Sequence, residues 1–297
     1  MEGEQLLIEA VQRGDPDAWR EVIRRYQGRL LSFARRRLAD PAEAEDVVQD
    51  TLLGLLRSLP NYDPTRSLET YLFAIIRHKL TDRFRRLRDG TRQPLDELQL
   101  EDTPAAWIDA DTPSRHVAGQ EALAAQRAAL AAALRQWVAQ CCEQRRFQDL
   151  IVIEMLVVAG LRNKEVASDL GLTETAVAGV KFRILEQWRR LTQSAPSAPH
   201  WQEADLAATS TLGRIWQEEG ISCLKRSTLG RYRLGALDDD WRDYVEFHVT
   251  HLGCPRCTAN LDDLAEEQRA GAAEPAASER LFASSVGFLS KRPPDPA

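Results

Sequence analysis

Apolar residues recur at three- and four-residue steps along most of the chain, which is the spacing of amphipathic α-helices. The pattern is clearest in residues 40–59. Asp40 can cap a helix there, with Pro41 in its first turn and Glu43 at the capping-box position. The buried stripe of this helix would consist of Ala44, Val47, Val48, Leu52, Leu55, Leu56 and Leu59. Its opposite face carries Asp46, Gln49 and Asp50.

A second helical stripe follows the loop at 60–66, and Ser67 can cap the helix that carries it. Its apolar positions are Leu68, Tyr71, Leu72, Ile75, Ile76, Leu80, Phe84 and Leu87. Once this stripe is buried, the basic residues must face solvent: Arg77, Lys79, Arg83, Arg85, Arg86 and Arg88. Such a density of positive charge suits nucleic-acid phosphates. A solvated helix face, with Arg85 paired to Asp82 or Asp89, is the alternative interpretation.

Residues 161–191 predict a helix, a tight turn and a second helix. Asn163 can cap the first helix, Gly171 suits a left-handed turn, and Thr173 can cap the second. The pattern is typical of a helix-turn-helix, although other helical hairpins with a glycine turn can imitate it. The side chains predicted to face DNA are Thr173, Glu174, Thr175, Ala178 and Lys181, with Arg183, Arg189 and Arg190 nearer the phosphates.

The sequence therefore predicts an all-α protein of several small domains. A chain of 297 residues is long enough for them, and its 43% of hydrophobic residues can supply their cores. The net charge of −6 is unevenly distributed, because residues 91–120 form an acidic, proline-containing segment. The predicted division is 1–90 helical domain, 91–120 acidic linker, 121–192 helix-turn-helix domain, 193–200 linker, 201–268 C-terminal Cys/His extension and 269–297 flexible tail with a short helix near 278–289.

Several functional classes are disfavoured by the sequence. No apolar run approaches the ~20 residues of a membrane span, and the N-terminus lacks the layout of a secretion signal. We therefore expect a cytoplasmic protein without membrane contact. No glycine-rich phosphate loop or serine-nucleophile motif is present, so no enzymatic activity and no required cofactor are expected. Cys141 and Cys142 are expected to fill space in a helical core.

Residues 14–86 resemble region two of bacterial RNA polymerase sigma factors of the extracytoplasmic-function (ECF) type, and residues 145–191 resemble region four. The segments AEDVVQD (residues 44–50) and YDPTRS (residues 62–67) carry the likeness. Two departures stand out. Tyr71 and Leu72 replace a usual Trp-Leu pair, and residues 176–180 lack cations that the family's recognition helix commonly has.

The resemblance implies a set of partners and contacts. Core RNA polymerase would bind through the clamp helices of its largest subunit, contacted by Asp46, Gln49 and Asp50, and through the β-subunit flap, contacted by region four. Promoter DNA would be opened and held by Asn61, Tyr62, Asp63 and Arg66, with phosphates gripped by Arg77, Lys79, Arg83, Arg85 and Arg86. The acidic linker would thread polymerase channels or serve as a solubilising spacer. An anti-sigma or signalling partner is a further possibility in this family.

The C-terminal segment concentrates metal-ligating residues: Cys223, His248, His251, Cys254 and Cys257. A Cys-x2-Cys pair can supply two thiolates to tetrahedral zinc. The predicted ligands are Cys223, His248, Cys254 and Cys257, while a redox dithiol and buried structural thiols are the alternatives. The segment is similar to C-terminal extensions of some planctomycete sigma factors and, more loosely, to zinc-binding anti-sigma domains.

The sequence is compatible with three functions. The leading hypothesis is a sigma factor that binds core polymerase, recognises promoter DNA and initiates transcription of a specific gene set. One alternative is a helix-turn-helix regulator that acts without polymerase, for which the Asp46 face would be ordinary surface. The other is a zinc- or redox-responsive switch protein built on the C-terminal cysteines.

Overall fold

The computed structural model describes residues 2–64, 67–90, 117–192, 210–270 and 276–289. Every regular element in these residues is a helix, which confirms the predicted all-α class. The helices up to residue 90 are α1 (Glu2–Gln12), α2 (Pro16–Arg35), α3 (Pro41–Ser58) and α4 (Leu68–Gly90). Those that follow are α5 (Val117–Glu143), α6 (Phe147–Val157), α7 (Asn163–Asp169), α8 (Glu174–Thr192), α9 (Thr211–Glu219), α10 (Arg226–Arg233), α11 (Asp239–Glu246), α12 (Pro255–Ala270) and α13 (Ala276–Ser285).

The predicted linkers fall mostly outside the described residues. Of the acidic segment 91–120, only the last four residues are described, and they begin α5. The second linker, 193–200, lies entirely outside. Among the described residues, no helix is both long enough and apolar enough to cross a membrane.

Side-chain caps start three of the helices where the sequence predicted them. The Asp40 carboxylate accepts from the backbone N–H two residues later (2.9 Å), and the Ser67 and Thr173 hydroxyls accept from the N–H three residues later (3.2 and 3.1 Å). Each cap satisfies a backbone donor that the first helical turn leaves without an internal partner. The Glu43 carboxylate, expected in a capping box, bonds to Arg83 on α4 at 2.6 Å.

The cap predicted at Asn163 is wrong. Asn163 is the first residue of α7, preceded by Arg162 at the cap position, and its side-chain oxygen accepts a hydrogen bond from Lys181 on α8 at 3.1 Å. Gly171 does take the left-handed conformation expected of the turn, with φ +63°. The helix-turn-helix pair is therefore joined by a polar bond as well as by its apolar core.

The chain divides into two compact units. The first contains α1 to α4 together with the described residues from Thr258 onward. Its core confirms the predicted stripes of the two long helices. The buried members are Ala44, Val47, Val48, Leu52, Leu55 and Leu59 on α3 and its end, and Leu68, Leu72, Ile76 and Leu80 on α4.

The last part of the chain contributes to this same core. Leu281, Phe282 and Leu289 are buried among the side chains of α1 to α4. The Trp19 indole N–H donates to the Ser285 hydroxyl at 2.8 Å, although the two residues are 266 positions apart. The helix expected near 278–289 is thus present, and its apolar side is covered by α2 and α3.

A buried arginine marks where α12 meets α2. Arg29 is only 7% exposed, and its guanidinium lies 3.5 Å from Glu69 and 3.9 Å from Asp263. Burying an unpaired charge would cost several kcal/mol, so the two acids compensate the arginine. Gly28, next to it, leaves room for Asp263, because a Cβ on Gly28 would lie 1.7 Å from a carboxylate oxygen of that side chain.

The second unit has α5 to α11 around a core that includes three tryptophans. Trp137 on α5, Trp188 on α8 and Trp216 on α9 have ring centroids 5.5 to 6.3 Å apart. The helix-turn-helix is held by an apolar core, in which Val166, Ala167, Val177, Val180, Ile184 and Leu185 are buried and Leu170 and Leu172 are partly buried. Since Trp216 belongs to α9, the C-terminal extension shares the core of the helix-turn-helix.

We predict that Gly28→Ala lowers the free energy of unfolding by about 1–3 kcal/mol, the usual penalty for an overpacked contact. The new methyl group would displace Asp263 from Arg29. Chemical denaturation of the full chain, followed by circular dichroism, measures the change.

Gly230→Ala on α10 is the matched control, because no atom lies within 4 Å of a Cβ built there. This substitution should be neutral or stabilise the protein by about 0.5–1 kcal/mol, as expected for alanine in a helix. If both variants are equally stable, Asp263 does not lie against α2.

Candidate functional site

The polar face predicted on α3 is an exposed strip. Asp46 and Asp50 are exposed and Gln49 is half-buried, whereas Val47 and Val48 between them are in the core. Residues three and four positions apart share one side of a helix, so the structure brings these three side chains together. The strip offers two carboxylates and an amide to a partner.

The loop between α3 and α4 joins this strip to the basic helix. Asn61 ends a short 3-10 turn and is exposed, while Tyr62 and Asp63 are half-buried. Tyr62 makes an edge-to-face contact with Tyr71 on α4, with ring centroids 5.2 Å apart. Arg66 lies outside the described residues. The aromatic pair is the part of this loop that offers a stacking surface.

The basic residues of α4 divide into two groups. Arg83 is bonded to Glu43 of α3, and this hydrogen bond raises the pKa of the Arg83 guanidinium. Arg85 projects further, with a side chain 62% exposed and 4.0 Å from Asp82. Arg77 and Lys79 are half-buried, and the side chain of Arg86 lies outside the described residues. Arg85 is therefore better placed than Arg83 for an external phosphate.

Arg37, just after α2, is a basic residue that the sequence reasoning missed. Its guanidinium lies over the Phe33 ring, 3.7 Å from the centroid. Burial lowers its pKa to about 10, and the like charges of Arg77 and Arg36 add to this shift. Like charges held together in this way favour binding of an anion. No periodicity could have revealed the residue, because the charge of Arg77 acts on Arg37 only in the folded unit.

The second helix of the helix-turn-helix exposes both charged and uncharged side chains. Glu174, Thr175 and Ala178 are exposed, and Thr173 is both exposed and the helix cap. Arg183 has a 59% exposed side chain, 3.7 Å from Asp149. Arg189 is half-buried beside Glu186, and Arg190 is exposed.

Two positions on α8 differ from the expected arrangement. Lys181 is only 7% exposed and its ammonium bonds to Asn163, so it joins the two helices and is not part of the exposed face. Phe182, which the sequence reasoning did not select, is 64% exposed one turn after Ala178. The exposed face of this helix is consequently more apolar than predicted.

The four predicted metal ligands come together in the second unit. Cys223 follows α9, His248 lies in a π-helical turn (Phe247–His251) after α11, and Cys254 and Cys257 flank the start of α12. Their ligand atoms all lie within 4.8 Å of one another. The cluster is the one group of this kind among the described residues. His251, the other candidate histidine, is exposed and stacks on Phe247.

The donor set suits zinc. Tetrahedral Zn–S bonds of about 2.3 Å place two thiolates about 3.8 Å apart, and Cys223 Sγ lies 3.6 Å from Cys254 Sγ. The backbone N–H of Leu224 donates to Cys257 Sγ at 3.3 Å, which stabilises negative charge on that sulfur. His248 is 1% exposed, and its Nε2 has no hydrogen-bond partner among the described residues. A soft, divalent cation would satisfy these groups.

Hydrogen bonding among the thiols shifts their pKa values in opposite directions. The pKa of Cys254 is well below that of an ordinary thiol, because Cys223 and Cys257 hydrogen-bond to its thiolate. Hydrogen bonds with Cys223 and Cys254 raise the pKa of Cys257. The other cysteines differ: Cys141 is buried in the core, where burial raises its pKa to about 12. The cluster is therefore the cysteine site that favours a thiolate.

Comparison with known proteins shows what the first part of the chain resembles. Sigma-70 region 2 matches residues 22–89, a span that covers most of α2, all of α3 and all but the last residue of α4. The sigma factor CnrH of Cupriavidus metallidurans is 29% identical over 182 residues, covering 60% of this chain and 88% of the relative.

Other relatives match over shorter spans. The sigma-H factor of Pseudomonas aeruginosa is 31% identical over 101 residues, covering 34% of this chain and 51% of the relative. The ECF sigma factor SigF of Caulobacter vibrioides is 33% identical over 85 residues, covering 28% of this chain and 48% of the relative. No solved structure matches the chain significantly. Through its region 2 and these relatives, the chain resembles the extracytoplasmic-function group of sigma-70 RNA polymerase sigma factors.

Proposed function

We propose that this chain is a promoter-specificity subunit that binds core RNA polymerase, recognises promoter DNA and initiates transcription of a specific gene set. The observation that carries the proposal is the match of region 2 to residues 22–89, which include the acidic strip and the basic helix. The polymerase supplies the chemistry of RNA synthesis, so this subunit acts by binding and positioning and needs no catalytic group of its own.

Polymerase binding is assigned to Asp46, Gln49 and Asp50. Their exposure on one side of α3 supports a docking role, because the opposite side of the same helix is fully occupied by the core. By the resemblance to the family, the partner is the clamp helices of the largest subunit. Carboxylates on a rigid helix suit a docking site, since complementary charge steers association and fixes the register of the contact.

Promoter opening is assigned to the loop and to α4. Asn61, Tyr62 and Asp63 would hold an extruded base, for which the Tyr62–Tyr71 pair supplies an aromatic surface. Phosphates would be held by Arg77, Lys79, Arg83, Arg85 and Arg86, and we add Arg37 because it feels the charge of Arg77. Arg66 keeps the role that the sequence predicts for it.

Upstream recognition is assigned to α8 in the second unit, which corresponds to region four. Glu174, Thr175 and Ala178 would face base edges, with Arg183 near a phosphate. Phe182 extends that face by an exposed phenyl ring, and apolar side chains there contact thymine methyl groups. Contact of region four with the β-subunit flap follows from the family resemblance.

A zinc ion at Cys223, His248, Cys254 and Cys257 is the second part of the proposal. When bound, zinc would supply a tetrahedral cross-link between three separate parts of the C-terminal extension, with no redox chemistry of its own. The convergence of the four ligand atoms, in a chain with five cysteines in total, supports this assignment.

The double reversal Asp46→Lys, Asp50→Lys should weaken binding to core polymerase by about tenfold or more, equivalent to ~1.4 kcal/mol, with the helical content unchanged. Both side chains are exposed, so the charge change falls on the surface. Glu266→Lys, Glu267→Lys on α12 is a control with the same change of charge. Normal association of the first variant would favour a helix-turn-helix regulator that acts without polymerase.

Arg85→Ala should flatten the salt dependence of promoter binding by a slope of roughly 0.9 for a duplex phosphate contact, or roughly 0.7 for a single strand. Arg83→Ala is expected to affect the pairing of α3 with α4 as well, because Arg83 bonds to Glu43. Arg24→Ala, on α2 and paired with Glu21, is the control. A slope equal to that of the parent protein for Arg85→Ala would remove its role in DNA binding.

Purified protein should contain one zinc ion per chain, and the double variant Cys254→Ser, Cys257→Ser should contain much less. Cys142→Ser is the matched control, because this thiol lies outside the cluster and should leave the zinc content unchanged. Elemental analysis and thiol titration measure the result. Zinc-free parent protein with a reversible disulfide would support the redox alternative, and zinc-free protein with three inert thiols would support structural cysteines.

A further inference from the structure

We infer that Glu154 is the positioning residue of the metal site, and that through it metal binding is coupled to the folding of the helix-turn-helix unit. The inference rests on the proposed zinc site and adds a residue outside the extension that carries the ligands. It concerns a side chain on α6, one of the helices on which α7 and α8 pack.

Glu154 is an unusual residue for its position. Its side chain is fully buried, and its neighbours Ile153, Met155 and Leu156 are core residues. A buried carboxylate without compensating partners costs several kcal/mol, so helix packing alone does not account for an acid here. An apolar side chain would suit this position better if the helix served only the core.

The contacts of Glu154 point to the cluster. Its Oε1 lies 2.8 Å from Nδ1 of His248 and 3.4 Å from the hydroxyl of Tyr244. A carboxylate accepts hydrogen bonds, so the imidazole must donate through Nδ1. The lone pair of a neutral ring is then on Nε2, the buried nitrogen without a hydrogen-bond partner among the described residues.

This arrangement is the one found behind many zinc-binding histidines. The carboxylate fixes the tautomer and the orientation of the ring and makes the ligating nitrogen more basic. The π-helical turn Phe247–His251 contributes by setting the direction in which His248 leaves the backbone. Glu154 would thus act on the metal through His248, without contacting it.

The same contact links the ligand-bearing segment to α6. Tyr244 stacks on Phe147 at the start of α6, with centroids 5.1 Å apart, and Trp241 meets Phe147 at 4.9 Å. Arg145, before α6, is bonded to Asp238 at the start of α11. Zinc bound to His248 would hold this histidine in place as the partner of the buried Glu154. Loss of zinc should therefore increase the mobility of α6 as well as that of residues 239–257.

The test compares Glu154→Gln with Asp149→Asn. Both replace an acid on α6 by its amide, but Asp149 pairs with Arg146 and Arg183 and does not touch the cluster. Zinc affinity is measured by competition with a colorimetric chelator, and ligand geometry by the absorption spectrum of the Co²⁺-substituted protein. Glu154→Gln should bind zinc about 10- to 100-fold more weakly with an altered Co²⁺ spectrum, and Asp149→Asn should match the parent protein.

A second measurement uses the parent protein alone and does not depend on the folding of a variant. Hydrogen exchange is compared before and after zinc removal by a chelator. Faster exchange in α6 (Phe147–Val157) together with residues 239–257 supports the coupling, with α2 as the internal control. The inference is wrong if zinc removal changes exchange only in residues 239–257, or if Glu154→Gln binds zinc as tightly as the parent protein. Glu154 would then be a buried structural residue without a role at the metal site.

The outcomes separate this inference from the function on which it rests. Parent protein without zinc overturns both the metal site and the role of Glu154, whatever its binding to polymerase. Zinc-loaded protein that does not bind core polymerase overturns the sigma factor proposal and leaves the role of Glu154 standing.

Discussion

Burial of one apolar side of each helix is the constraint on which the rest of the structure depends. On α3 the core takes Val47, Val48 and their helical neighbours, and this leaves Asp46 and Asp50 exposed. On α4 the same requirement places the basic residues outside the core. The charged surfaces of the first unit are therefore a consequence of hydrophobic burial, and the proposed contacts with polymerase and DNA use them.

The C-terminal extension and the tail that follows it contribute to the cores of both units, and in each unit part of the contribution is polar. In the first unit, Asp263 compensates the buried Arg29 and Ser285 accepts from Trp19. In the second, Glu219 is buried and bonded to Arg135 at 2.8 Å, beside the contact of Trp216 with Trp137. Deleting the extension would expose core side chains and leave buried charges without their partners. Single substitutions at the metal cluster are therefore a better test of the role of zinc than truncation, because they leave these core contacts in place.

Sequence reasoning was most successful where a feature is local. The caps at Asp40, Ser67 and Thr173 and the turn at Gly171 depend on residues a few positions apart, and the structure confirms them. It failed at Asn163 and was incomplete at Lys181, because the two side chains bond to each other across 18 positions. A lysine on a predicted DNA-facing helix gives no sign in the sequence that it has an internal partner.

The sequence by itself determined the helices, their apolar stripes, the helix-turn-helix and the set of metal-ligating residues, since each depends on spacing along the chain or on residue type. Only the tertiary structure decided that the predicted ligands converge, that Glu154 lies behind His248, and that the charge of Arg77 acts on Arg37. The physical reason is distance along the chain. Periodicity describes neighbours within a few turns, whereas a buried charge or a metal ligand is defined by groups that only folding brings within bonding distance.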